Sequence, residues 1–246
     1  AAFSNGVTIL GGTITVPAGV TSFTVSVPTT ADSIDEINET YTLTVGGVNG
    51  TGTINDDDGA PTIQSVSSDT QIEGTSLVHT VTLSNASSSV TTFAYTQGGG
   101  TATGGGTDYT TPPTFSNGVT LALGILTVPA GVTSFTITTP TTLDTIDEGA
   151  SENYNLTVGG VAAVGTITDD DSAPSISTVS SNSATEASNI VHTVTLSNAS
   201  SVATSYALSF TDVSATGGGT DYTSVLTNAA FSNGVTILGG TITVPA

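Results

Sequence analysis

Lysine, arginine, cysteine, methionine and tryptophan are all missing from these 246 residues. Against 20 acids and a formal charge of -20, the chain has no side chain able to neutralise a phosphate backbone or an anionic headgroup. Nucleic acid and charged membrane surfaces are excluded as partners. Without cysteine or methionine there are no disulfides, thiol nucleophiles, zinc-thiolate sites or sulfur oxidation chemistry. Without lysine there are no Schiff bases and no Lys-Asn isopeptide cross-links. No apolar run approaches the roughly 18 residues of a spanning segment, so direct membrane insertion is not expected. The start, Ala1 to Asn5, lacks the charged and apolar parts of a signal peptide.

What remains is rich in Thr, Ser, Gly and Val, a β-forming composition with enough chain for a real core. It repeats on two scales. Residues 1–18 recur unchanged as 229–246, an offset of 228. Within that period VHTVTLSNASS begins at Val78 and Val191, TGGGTDYT at Thr103 and Thr216, and an Asp triplet at Asp56 and Asp169, each 113 residues apart. The unit is one domain of about 113 residues. Residues 1–58 form the C-terminal half of one copy, 59–171 a complete copy, and 172–246 the first two thirds of a third. The chain reads as a window cut from a longer tandem array, or as a segment with arbitrary limits.

In the complete copy, period-two runs of β-branched residues alternate with Gly, Pro and Asn punctuation. Leu77, His79, Val81 and Leu83 share one strand face. Leu126-Thr127-Val128 meets a turn at Pro129-Ala130-Gly131. Val158-Gly159-Gly160-Val161 is a hairpin leading into Val164 to Thr168. About seven short strands and no helical period predict an all-β fold of tandem antiparallel β-sandwiches.

Charged residues are only 8% of the chain, yet 18 of the 20 acids fall at positions that recur between copies; Asp69 and Asp212 are the exceptions. In the complete copy these are Glu73, Asp108, the loop acids Asp144, Asp147 and Glu148, then Glu152 and Asp169, Asp170 and Asp171. The first piece supplies Asp32, Asp35, Glu36, Glu39, Asp56, Asp57 and Asp58, and the last Glu186 and Asp221. Solvated turns are the plain explanation, but a turn does not need three consecutive like charges. Two carboxylates 4 Å apart repel by about 4 kcal/mol at the effective dielectric of a protein surface. If these segments converge, the neutraliser must come from solution. An oxygen-only donor set suits Ca²⁺, with its six to eight flexible ligands, better than Mg²⁺ or a soft metal, and so many carboxylates suffice for more than one ion per repeat.

The succession Glu73-Gly74, Gly100 to Thr103, Gly106-Thr107-Asp108-Tyr109, Val128 to Gly131, Glu152-Asn153-Tyr154 and Gly165 to Asp171 resembles a Calx-β domain in order and spacing, over the whole repeat. That resemblance implies an immunoglobulin-like sandwich of the Calx-β kind with Ca²⁺ at one end. It also implies Glu73, Asp108, Asp144, Glu148, Glu152, Asp169, Asp170 and Asp171 as ligands. The family's loop often has a further Asp where this chain has Ala31 and Leu143, and an aromatic where it has Asp35 and Asp147, two acids that enter the candidate set as compensation.

Other features carry less. His79 and His192 invite a triad with Ser84, but strand parity places each with Leu and Val, as a packed or edge histidine. Gly98 to Gly100 and Gly104 to Gly106 lack the lysine and helix of a phosphate loop and read as turns. Asn38, Asn49, Asn85, Asn155 and Asn198 begin Asn-x-Ser/Thr sequons, which leave a glycan open without implying one. No nucleophile, base and oxyanion arrangement is visible, so no enzyme is expected.

The junctions, Gly59-Ala60-Pro61 and Ser172-Ala173-Pro174, are short and stiffened by proline. The expected role is structural: a segment of an extracellular or cell-surface fibre or adhesin stalk, stiffened by Ca²⁺ at domain ends. Its partners would be neighbouring repeats of the same chain; bundling with other copies of the fibre is left open. Alternatives are a glycan- or surface-binding adhesion module and a calcium-responsive regulatory module.

Overall fold

The structure is a computed structural model that describes residues 2–246. Alternation along Leu77–Leu83 decides its packing: Leu77, His79, Val81 and Leu83 are buried, and the residues between them face outward or partly so. This strand pairs antiparallel with Ser134–Thr139 on one side and Ile63–Val66 on the other; Thr114–Phe115 completes a four-stranded sheet. The opposing sheet has six strands, in the order Thr120–Ala122, Ile125–Val128, Thr91–Gly98, Glu152–Val158, Val161–Thr168 and Asp69–Ile72. Between them lies one core running from Ile63 to Ile167 and centred on Leu77, Phe135, Ile137, Leu126, Tyr154 and Leu156. The expected hairpin is present, with Val158 opposite Val161 and Glu152 opposite Ile167. Its turn glycines, Gly159 and Gly160, have φ of 55° and 88°, the conformation a tight right-twisting hairpin requires.

Two expectations need correction. The two sheets hold more strands than the seven anticipated: the first extended segment breaks at Ser67-Ser68 into Ile63–Val66 and Asp69–Ile72 and so serves both sheets, and the short strands Thr114–Phe115 and Thr120–Ala122 add to the edges. The sandwich is also not wholly antiparallel: Asp69–Ile72 runs parallel to Val161–Thr168, with Thr168 opposite Ile72. A short 3-10 turn at Asn228–Ala230 is the one helical element among the described residues, and no helix is long and apolar enough to cross a membrane.

His79 ties the two sheets together. It is fully buried; Nδ1 lies 2.7 Å from the Ser67 carbonyl and Nε2 2.9 Å from the Tyr154 hydroxyl. An Nδ1–H donating to Ser67 and an Nε2 accepting from Tyr154 satisfy both atoms with a neutral ring. The His192 Nδ1 makes the same 2.7 Å contact with the Ser180 carbonyl. The Tyr154 ring in turn lies across Gly165, where a Cβ would come within 2.3 Å of it, and Tyr41 covers Gly52 in the same way.

Two substitutions test this packing. His79→Ala opens a cavity and strands the Tyr154 hydroxyl, with an expected loss of about 2–4 kcal/mol in chemical denaturation. Gly165→Ala forces the tyrosine off its seat, with an expected loss of about 1–3 kcal/mol. Unchanged midpoints would refute the arrangement.

Candidate metal centre at the sheet end

The parallel strand pair places the first acids. Since Thr168 stands opposite Ile72, the residues that follow, Asp169 and Glu73, leave the sheet side by side, and the Glu73 amide donates to the Thr168 carbonyl at 3.1 Å. Glu152 opens the neighbouring strand at this same end, opposite Ile167. Asp108 is brought in by its loop. The Ala102 amide donates to the Asn153 carbonyl at 2.8 Å, the Thr103 amide to Asp108 Oδ2, and the Thr142 amide to the Asp108 carbonyl at 2.9 Å. Glu148 arrives through its amide, which donates to Asp169 Oδ2 at 3.0 Å. Asp144 caps its own loop, accepting from the Ile146 amide at 2.7 Å.

Two triads result. Glu73, Asp169 and Asp171 form one, and Asp108, Glu148 and Glu152 the other; in each, ligand oxygens from all three residues lie within 4.8 Å of one another. Glu73 Oε1, Asp171 Oδ2 and Glu152 Oε2 are buried and have no hydrogen-bond partner. A buried polar atom without a partner costs free energy, and an unpaired carboxylate more than most. Burial pushes the Glu73 carboxyl up to about 7, helped by the Asp144 charge and the adjacent Asp170 carboxyl. Glu152 is likewise pushed up to about 7, by burial and then by Asp108 and Glu148. Glu148 and Asp171 are raised as well, by burial first and then by surrounding acids. The donors are all hard oxygens, several with free lone pairs, and no cationic side chain exists to answer them. That set fits Ca²⁺.

The first piece of the chain repeats part of this arrangement. Asp56, Asp57 and Asp58 converge within the same 4.8 Å limit. The Glu36 amide donates to Asp56 Oδ2 at 3.0 Å as Glu148 does to Asp169, and the Ile34 amide to Asp32 Oδ1 at 2.9 Å as Ile146 does to Asp144. Asp32, Glu36 and Glu39 line one cleft with the triplet. Burial and like charges raise Glu36 and Asp58. In the last piece, Glu186 and Asp221 join no such group among the described residues. The segment that supplies their counterparts' neighbours in the complete copy, residues 144–171, has no equivalent within 173–246.

Asp35 and Asp147 point elsewhere. Each accepts a hydrogen bond from a serine of the following repeat, Asp35 Oδ2 from Ser87 at 2.6 Å and Asp147 Oδ2 from Ser200 at 2.7 Å. Sequence reasoning missed these serines, although both occupy the recurring SNASS segment. The two acids that do not recur hold turns: Asp69 Oδ2 accepts from the Val78 amide at 2.7 Å, and Asp212 accepts from Gly217 and Tyr222. Each of the five sequon asparagines makes a side-chain hydrogen bond within the fold.

The Calx-beta domain family matches residues 9–63, 56–179 and 169–246, and the chain belongs to that family. Calx-beta domains are non-catalytic, calcium-associated β-sandwich modules that occur in tandem. No curated protein matches the chain.

The acid cluster dictates a pH dependence in metal-free solution. Glu73 and Glu152 ionise near 7 when folded but at ordinary carboxylate values when unfolded, so between about 4.5 and 7 the native state holds more protons. Stability therefore falls as pH rises through that window and levels off above it. In a chelator the thermal midpoint should be higher at pH 5 than at pH 8 by several degrees, about 2–4 °C for each kcal/mol in a chain this size. A midpoint that rose with pH would contradict the placement of these two glutamates.

Proposed function

We propose that this chain is a structural segment of an extracellular fibre or adhesin stalk, in which Ca²⁺ bound at the domain ends stiffens a tandem array, more than one ion serving each repeat. The observation that carries it is the pair of carboxylate triads with buried, unpartnered oxygens at the end of the sandwich from which the chain passes to the next repeat. Glu73, Asp169 and Asp171 would hold one ion, with Asp144 and Asp170 beside them, and Asp108, Glu148 and Glu152 another. Bound calcium supplies positive charge that removes the repulsion and completes the orphaned oxygens. Ions that bind the converged site and not the unfolded chain stabilise by RT ln(1 + [L]/Kd), about 2.7 kcal/mol per site at a hundredfold excess. The near-identical repeats and short proline-containing junctions suit mechanical reach more than recognition. A chain free of Lys and Arg also offers trypsin-like proteases no site, which suits an exposed surface.

Chelation tests this directly. Removing divalent cations should lower the thermal midpoint, increase the spread of shapes in small-angle scattering and speed chymotryptic cleavage, and adding calcium back should reverse all three. If none of the three moved, the stalk would not be calcium-stiffened.

A further inference from the structure

The two junctions are built alike, although the loops that form them differ in length. At the first, Ile34–Asp35 pairs in parallel with Ala86–Ser87; at the second, Ile146–Asp147 pairs in parallel with Ala199–Ser200. The main chain closes each bridge, the Ser88 amide donating to the Asp35 carbonyl at 2.9 Å and the Ser201 amide to the Asp147 carbonyl at 2.8 Å. The serine hydroxyl then donates to the aspartate carboxylate, at 2.6 Å for Ser87 and 2.7 Å for Ser200, and accepts a local amide, from Ser89 or Val202, at 3.1 Å. Asp147 and Ser87 are buried, with 5% and 3% of their surface exposed. At the second junction Gly149 packs so closely on Val202 that a Cβ there would sit 3.1 Å from its methyl group. Each serine is also fixed within its own repeat, since the Asn85 and Asn198 amides anchor the turn to the linker carbonyls of Gly59 and Ser172, at 2.8 and 2.9 Å.

The loop being gripped is the one that delivers acids to the metal centre: Glu148 adjoins Asp147, and Glu36 adjoins Asp35. We infer that Ser87 and Ser200 are positioning residues of an inter-repeat clamp, in which each repeat grips the acidic loop of the repeat before it, fixing the angle between the two and holding that loop ready for calcium. This rests on the proposed calcium role for the coupling, though not for the grip itself. A hydrogen bond from a neutral donor to a buried carboxylate belongs to the stronger class, and losing the donor leaves the carboxylate unanswered. Coupling is reciprocal: a loop held by the next repeat binds ions more tightly, and bound ions hold the next repeat more firmly.

The absence of cysteine makes the test clean. Thr80→Cys and Thr193→Cys place two spin labels at exposed, equivalent positions one repeat apart in the full chain, whose distance distribution is measured with chelator and with calcium. In chelator, Ser200→Ala should broaden the distribution while Ser200→Thr, which keeps the hydroxyl, should restore it. In calcium titrations, Ser87→Ala/Ser200→Ala should weaken binding about fivefold or more, within the usual range of couplings between sites. Circular dichroism checks that each variant remains folded. Equal widths for wild type and Ser200→Ala in chelator would overturn the clamp. Equal calcium affinity with unequal widths would overturn the coupling. A wild type that bound no calcium would end the proposed function and the coupling together, leaving the grip to be judged on the chelator widths alone.

Discussion

Gathering carboxylates with nothing positive in the chain is the constraint on which this molecule turns. In most proteins an acidic cluster is relieved by a nearby lysine or arginine; here the sequence has neither, so relief must come from the solvent. The sheet end converts that compositional fact into a local one. It draws two groups of three acids within 4.8 Å and leaves three of their oxygens buried without a partner. Raised pKa values at Glu73 and Glu152 express the same tension, since protonation is the only relief available without a cation.

A rigid frame is needed to hold charges in so unfavourable an arrangement. The parallel register between Asp69–Ile72 and Val161–Thr168 forces Glu73 and Asp169 out of the sheet together. Behind that register stands the core, in which His79 joins the Ser67 carbonyl at the sheet switch to the Tyr154 hydroxyl, and Tyr154 lies over Gly165 on the strand that ends at the acids. The histidine that invites a catalytic story is thus a cross-brace. Its two nitrogens are both engaged inside the sandwich, away from solvent.

Much of this was legible in the sequence because it rests on periodicity. The buried face of Leu77–Leu83, the Gly159-Gly160 hairpin and the recurrence of the acids follow from local spacing. The division of the acids into triads was not legible, because it depends on a parallel pairing between segments almost a hundred residues apart, made by a strand that splits to serve both sheets. Nor was the engagement of Asp35 and Asp147. Both stand in an acidic loop directly before another acid of the cluster, and only the fold shows a serine 52 or 53 residues further along the chain reaching them.

The placement of Asp147 beside Glu148 follows from strand geometry. Successive residues in extended backbone project to opposite sides, so a loop that sends Glu148 toward its own sheet end must send Asp147 away from it, toward whatever packs there. In a single domain that outward residue would face water, and an aspartate there would add one more negative charge near Asp171, whose carboxyl it already helps to raise. In an array the outward side belongs to the next repeat, and a hydroxyl donor at that point turns the surplus charge into a contact. The same aspartate followed by glutamate recurs at 35 and 36, with a serine waiting at 87, although that loop is a residue shorter. A solvated turn would not require the donor and acceptor to be maintained together across two different loop lengths. The two neighbouring acids therefore face different partners, Glu148 the triad with Asp108 and Glu152, and Asp147 the serine of the next repeat.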